Sequence, residues 1–157
     1  MTPSQNFFDL VMSFEGLKLS AYKDVAGIWT IGYGTVTYPN GNAVCEDDIC
    51  TTQQAQQYLA DHVAGIQLPA GLSQAEYDAC LDFCYNAGQG AWNGSTLKKD
   101  VVSGADAEKI TNDFLMWDKA HVDGQLTTEP GLLRRRRCEA YLFINGVNAP
   151  GFYEENI

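Results

Sequence analysis

Three residues near the N-terminus have the types and spacing that acid–base chemistry uses: Glu15, Asp24 and Thr30. Glu15 falls at the C-terminal end of an apolar-periodic segment, where the helix dipole is negative and a carboxyl that keeps its proton is favoured. A protonated carboxyl is what a general acid needs. Asp24 falls in a loop entering a glycine-rich stretch, where water and backbone donors keep a carboxylate ionised. Thr30 opens the run Thr30-Ile31-Gly32-Tyr33-Gly34. With a period of two, Thr30, Gly32 and Gly34 share a face, so a bulky ligand could lie against two bare backbones while the hydroxyl holds a water. A proton donor, a base and a held water are the parts of a carboxylate-pair hydrolase. The same residue types also occur in inactive solvated loops, and spacing alone does not choose between the two.

The elements that must position them follow from periodicity. Residues 4–14 carry Phe7, Leu10, Val11 and Phe14 at helical spacing, and Gly16 follows Glu15 where a helix C-cap wants glycine. From Tyr22 to about Cys45, glycines alternate with β-formers and Pro39-Asn40-Gly41 marks a turn, which predicts a small antiparallel sheet of two or three strands. Thr51 and Thr52 then start a helix with Ala55, Tyr58, Leu59, Val63 and Ile66 on one face, ended by Pro69-Ala70-Gly71. Ser73 starts the next, with a stripe at Tyr77, Cys80, Leu81, Cys84 and Tyr85, ending near Gly88. The run GQGAWNGS reads as a loop before a short helix from about Thr96 to Val102. Residues 105–118 show Ala107, Ile110, Phe114 and Trp117 at helical spacing, and a last helix from Pro130-Gly131 carries Cys138, Tyr141 and Leu142. There are no internal repeats. The sum is an α+β chain, a small β-rich lobe followed by a larger helical one.

Composition bounds the possible functions. The chain has 157 residues, 10 Lys+Arg against 20 Asp+Glu and a net charge of −10, with 45% hydrophobic residues, which fits one globular domain. An acidic chain of pI about 4.4 lacks the field that phosphate binding needs, which argues against a nucleic-acid partner. No apolar run approaches the ~20 residues that span a bilayer, and the N-terminus has neither a basic region nor a small-residue cleavage site of a secretory signal. From Asp24 to Leu97 there is no Lys or Arg, whereas Arg134 to Arg137 form one basic run. That run reads either as a solvated helix face or, since Arg134 and Arg135 precede Cys138 by helical steps, as an inward stripe with one of the two turned toward Glu15 or toward carboxylates of a bound substrate. Such a cation would oppose the helix-end effect on Glu15. Of five cysteines, Cys80 and Cys84 read as buried small hydrophobes, and Cys45 and Cys50 bracket CEDDIC and could form a loop disulfide. With no CxxC pair, and with His62 and His121 standing alone, ligand spacing offers no zinc site.

Glu15-Gly16, Tyr22-x-Asp24 and Trp29-Thr30-Ile31-Gly32-Tyr33-Gly34 together resemble the active-site signature of the phage-type lysozymes, the endolysins of tailed bacteriophages. Further along, Phe83-Cys84-Tyr85-Asn86-Ala87-Gly88, Gly94-Ser95-Thr96-Leu97, Trp117-Asp118 and Pro130-Gly131-Leu132-Leu133-Arg134-Arg135-Arg136 are similar to later blocks of the family, in order over nearly the whole chain. The resemblance implies a single lysozyme-like domain over 1–157, with a β-rich lobe at about 15–50, a helical lobe at about 67–157 plus helix 4–14, and a cleft between the lobes. It implies a muramidase that hydrolyses the β-1,4 bond between N-acetylmuramic acid and N-acetylglucosamine of peptidoglycan. Glu15 would protonate the leaving oxygen, while Asp24 and Thr30 would position and activate a water on the opposite face of the sugar. That is the inverting geometry, with carboxyl groups ~6.5–9.5 Å apart. Tyr85, Asn86, Trp117 and Arg135 become candidate substrate contacts, and no metal or organic cofactor is called for. The family also implies a monomer that meets glycan strands at the bacterial wall, is stored in the host cytoplasm before lysis, does not insert into the membrane and is released by a separate holin-type protein.

Two features depart from the family pattern. Thr35 stands where the family usually has His after the strand's second glycine, which implies altered stability or pH response rather than lost chemistry. The acidity is unusual for an enzyme of an anionic wall, and implies weak long-range attraction and marked salt dependence. The rival readings are a lytic transglycosylase, which needs one acid and no positioned water, and a wall-binding module without catalysis, which would need none of Glu15, Asp24 and Thr30.

Overall fold

Ser4 fixes where the first helix begins. Its hydroxyl accepts the Asn6 N–H at 3.2 Å, and the same hydroxyl donates to Asp78 Oδ2. The structure, a computed structural model, describes residues 1–24, 26–122 and 125–150, the side chains of 121 and 122 excepted. Helix α1 runs Gln5–Glu15 and buries Phe7, Leu10 and Val11 completely. It stops because Gly16 takes φ +70°, a left-handed conformation glycine adopts without steric cost, and its N–H closes on the Met12 carbonyl at 3.1 Å.

The chain falls into two compact units. The smaller holds residues 11–65 and Thr2; the larger holds Met1, Pro3–Leu10 and the described residues from Ile66 onward. The smaller unit therefore extends past the expected 15–50, taking in the end of α1 and all of the helix after the sheet. In it, strands β1 (Lys18–Lys23) and β2 (Trp29–Gly32) pair antiparallel, Lys18 opposite Gly32 and Tyr22 opposite Thr30. Four steps along β1 thus face two along β2, a bulge that bends β1 and carries its ends closer than an extended strand would. Bulged Ala21 and Leu19 pair instead with the segment at Asp48–Cys50. The rest is irregular, with a Tyr38–Asn42 turn at the expected Pro39-Asn40-Gly41 and an isolated bridge between Thr37 and Ala43. Helix α2 (Thr52–Val63) starts at a capping box, in which Thr51 Oγ1 accepts from Gln54 N and Gln54 Oε1 accepts from Thr51 N. It buries Ala55, Leu59 and Val63.

The larger unit is helical. Helix α3 (Gln74–Ala87) starts with a second capping box at Ser73 and Glu76 and ends at Gly88. It packs on α7 (Pro130–Asn145), with α4 (Gln89–Gly94), α5 (Thr96–Ser103) and α6 (Ala107–Leu115) following between them in sequence. Phe83 is the hub of this core: its ring meets Trp92, Phe114 and Trp117 edge-on at centroid distances of 6.1, 6.1 and 5.3 Å.

Several sequence expectations change here. GQGAWNGS is not a loop: α4 forms because fully buried Trp92 anchors it. Ala107 is exposed, so the inward stripe of α6 is Ile110 and Phe114. Strand β2 ends at Gly32, so Gly34 does not share its face with Thr30. A second antiparallel hairpin, β3 (Lys119–Val122) and β4 (Gln125–Thr128), was not expected at all. The α+β class stands.

Candidate active site

Glu15 is the last residue of α1 and is exposed, with Gly16 turning the chain away beyond it. The carboxyl is thus presented at a helix end without being packed into the core. Asp24 follows β1 and is half-buried. Its Oδ1 accepts two backbone donors, Ala26 N at 2.8 Å and Ile28 N at 2.9 Å, while its own N–H donates to the Ile28 carbonyl at 3.0 Å. These bonds hold the carboxylate in an Asx turn through Oδ1.

Thr30 is 4% exposed and stands opposite Tyr22 in the β1–β2 ladder. Its Oγ1 donates to the Ile28 carbonyl at 3.0 Å. A hydroxyl has one proton and two lone pairs, so Oγ1, its proton committed, can only accept from a water. The backbone of Ile28 therefore ties both groups: its N–H holds Asp24 and its C=O holds Thr30. An acceptor carboxylate oxygen and an acceptor hydroxyl can take the two protons of one water and leave its lone pair free to attack.

The strand behind Thr30 is fixed by a close approach. Gly32 has φ +67°, and a Cβ there would lie 3.2 Å from Ala55 Cβ on α2. Beyond it, Thr35, at the position of the family His, exchanges two 2.9 Å backbone bonds with Ile31. Tyr38, beside the Pro39-Asn40-Gly41 turn, is half-buried. Its hydroxyl donates to Asp48 Oδ2 at 2.9 Å, its ring meets Tyr58 at 5.1 Å, and burial with the Asp48 charge pushes its phenol well above the usual range.

The other four candidates sit on the larger unit. Tyr85, half-buried near the end of α3, lies under the Arg135 guanidinium at 5.8 Å. Asn86 is exposed, and its Oδ1 accepts from Arg136 Nη2 at 2.8 Å. Trp117 is half-buried, edge-on to Phe83. Arg135 does not fit the contact role expected of it. It is 4% exposed, and its Nε and Nη2 meet the two oxygens of Asp82 at 2.9 and 2.8 Å. Nor is the arginine run a solvated face, since Arg135 and Arg136 are buried, Arg134 is half-buried and only Arg137 of the four is exposed.

Arg136 completes a buried cluster with Glu139, its Nη2 2.6 Å from Oε1. Burial and the Asp82 charge push the Glu139 carboxyl far above the usual range, against the pull of Arg136. Burial would raise Asp82 too, but Arg135 outweighs it and holds Asp82 below its ordinary value. The cluster thus sets two carboxyl groups pushed in opposite directions, Asp82 down and Glu139 up, against two guanidinium groups. Sequence reasoning missed it, although an Asp between Leu81 and Phe83 in a buried stripe was the available signal.

The profile described as Phage lysozyme matches residues 12–139. The chain belongs to the phage lysozyme family. An endolysin of Acyrthosiphon pisum secondary endosymbiont phage 1 is 38% identical over 140 residues, 85% of this chain and 92% of the relative. Among solved structures, the endolysin from Escherichia coli O157:H7 phage FAHEc1 matches with a TM-score of 0.82 at 35% identity, over 96% of this chain and 98% of that one. The muramidase domain of SpmX from Asticaccaulis excentricus matches with a TM-score of 0.74 at 28% identity, over 90% and 96%. As a phage lysozyme the chain is a glycoside hydrolase of peptidoglycan.

All five cysteines of this phage lysozyme are free, Cys45 exposed and Cys50, Cys80, Cys84 and Cys138 buried, so the Cys45–Cys50 disulfide is not formed. The side chain of His121 lies outside the described residues.

Proposed function

We propose that the chain is an inverting muramidase in which Glu15 is the acid, Asp24 the base and Thr30 the second holder of the water. Glu15 gives its proton to the glycosidic oxygen between N-acetylmuramic acid and N-acetylglucosamine as the C1–O bond breaks. A water accepted by Asp24 Oδ2 and Thr30 Oγ1 attacks C1 from the opposite face, and Asp24 takes its proton. The observation that carries this reading is the double use of Ile28. One residue's backbone fixes Asp24 and consumes the Thr30 proton, which supports two acceptors aimed at one water. Tyr85, Asn86 and Trp117 are proposed as glycan contacts; Arg135 is not, because it is buried with its Nε and Nη2 turned onto Asp82.

The setting proposed for this chemistry is that of the family: a monomer stored in the host cytoplasm, released by a separate holin-type protein and acting on glycan strands of the wall. Among the described residues, no helix is long and apolar enough to cross a membrane.

The test is mass spectrometry of fragments released from purified peptidoglycan by the wild type and by Glu15→Gln, with NMR of the first-formed anomer. Reducing muramic acid ends that appear first as the α-anomer, and vanish with Glu15→Gln, are the expected result. Anhydro-muramic ends would mean a transglycosylase and remove the water-holding role of Asp24 and Thr30. First-formed β-anomer would mean a retaining enzyme. No fragments from the wild type, with binding kept, would leave a wall-binding module.

A further inference from the structure

Asn86 is exposed, yet one end of its amide is committed to a buried cation. Arg136 is 1% exposed, stacks over the Phe83 ring at 5.0 Å, and gives its Nη2 group to two acceptors, Glu139 Oε1 at 2.6 Å and Asn86 Oδ1 at 2.8 Å. A guanidinium carries only donors, so the amide atom that faces it must be the carbonyl oxygen. The outward end of Asn86 is then the Nδ2 group, with two N–H donors and no acceptor. An asparagine that could flip would serve donors and acceptors alike; this one serves acceptors only.

We propose that Arg136 is a positioning residue that makes Asn86 an obligate hydrogen-bond donor, selecting an amide carbonyl on the substrate. The inference rests on the glycan-cleaving reading above. Peptidoglycan presents such carbonyls from two sources, the acetamido groups of the sugars and the stem peptides. Both are stronger neutral acceptors than the sugar hydroxyls, and the chemistry is shared. Glu139 takes part by keeping the Arg136 fork in place, and the Phe83 ring supports its face. A hydrogen bond to an amide carbonyl is one that ground state and transition state share, so the effect belongs to binding rather than to the chemical step.

The test begins with Asn86→Asp, which keeps an oxygen for Arg136 and replaces the outward donor with an acceptor. On intact glycan strands KM rises on the order of tenfold, with the loss in KM rather than in kcat, because an uncharged hydrogen bond is lost and two oxygens face each other. The same comparison on strands stripped of stem peptides identifies the source. A KM penalty kept on stripped strands assigns the acetamido carbonyl, and a penalty seen only on intact strands assigns the peptide carbonyl. Unchanged KM on both, from a wild type that cleaves both, overturns the inference and leaves the muramidase reading standing; a wild type that cleaves neither fails that reading first. The positioning role is tested by a cycle of Arg136→Lys with Asn86→Ala. If Arg136 acts through Asn86, Arg136→Lys raises KM in the wild type and changes it no further in Asn86→Ala. Additive effects would reduce Arg136 to a structural part. Should Arg136→Lys fail to fold, Asn86→Asp, an exposed change, still decides whether the outward donor matters.

Discussion

Arg135 and Asp82 face each other side by side, two nitrogens to two oxygens at 2.9 and 2.8 Å, with both side chains out of contact with water. The pair joins α7 to α3, the two helices that make the centre of the larger unit. Removing one partner strands a charge in a medium that cannot solvate it, whereas removing both removes the problem. Asp82→Asn therefore lowers unfolding free energy by about 3–5 kcal/mol, and the apolar double variant Asp82→Leu/Arg135→Met recovers most of it. Urea unfolding of the three proteins measures both. An Asp82→Asn loss below about 1 kcal/mol contradicts the burial argument.

Glu139 gives stability a pH slope of its own. Its folded-state pKa is raised, by burial first and by Asp82 second, so the folded protein holds a proton that the unfolded chain releases above its ordinary value. A raised carboxyl contributes stability that is full at low pH and is lost as pH climbs from about 4 toward the raised value. Asp82, held low by Arg135 against burial, works the other way and costs stability only as pH falls below about 4. Between pH 5 and 7 the Glu139 slope is at most about 1.4 kcal/mol per pH unit. Glu139→Gln keeps an oxygen for Arg136 and flattens that part of the curve; an identical slope in the variant rejects the assignment.

The proposed mechanism asks Thr30 for a hydroxyl and nothing else. Thr30→Val keeps the shape but removes both the bond to Ile28 and the acceptor for water, so kcat falls on the order of a hundredfold. Thr30→Ser keeps both functions and most of the rate. Turbidity clearing of cell walls by the pair is enough, and equal losses would mean that packing, not the hydroxyl, is what the site needs.

Gly32→Ala carries two penalties at once. The backbone must keep φ +67°, and the new methyl meets Ala55 at 3.2 Å. Left-handed strain alone costs on the order of 1–3 kcal/mol. Because Gly32 ends the strand that holds Thr30, thermal melting and activity should fall together; a wild-type melting temperature is the outcome this account does not survive.

Five free thiols differ sharply in access. Burial pushes the Cys84 thiol up to about 12 and Cys138 to about 11, and Cys80 and Cys50 are raised by the same cause. Exposed Cys45 alone among them is open to reagent. Thiol titration near pH 8 should give one fast group in the native protein and five after unfolding without reductant. Three after unfolding would show that a disulfide forms in solution.

The helices with strong caps were legible because Thr51 with Gln54 and Ser73 with Glu76 put both halves of a capping box in the sequence itself. The catalytic candidates were legible as types and spacing, but the Ile28 bridge between Asp24 and Thr30 was not, since it is made by backbone atoms that every residue has. Helix α4 was hidden because Gly90 and Gly94 outweigh any propensity signal, and only tertiary burial of Trp92 makes the segment helical. The β3–β4 hairpin carried a signal that was passed over, Asp123-Gly124 between His121-Val122 and Gln125-Leu126-Thr127-Thr128. The arginine run misled for a different reason: charge predicts exposure on average, and Arg135 and Arg136 are buried because Asp82 and Glu139 are buried with them.

Ile28 gives the site both of its tethers through main-chain atoms while its own side chain is 51% exposed. Evolution can therefore rewrite the letter at this position without touching the chemistry. Among sequences that still lyse cells, position 28 should drift almost freely, with proline the one residue purged, because it alone lacks the N–H that Asp24 requires. A residue that tethers both proposed holders of the water would then look, in any survey of variation, like an unimportant one.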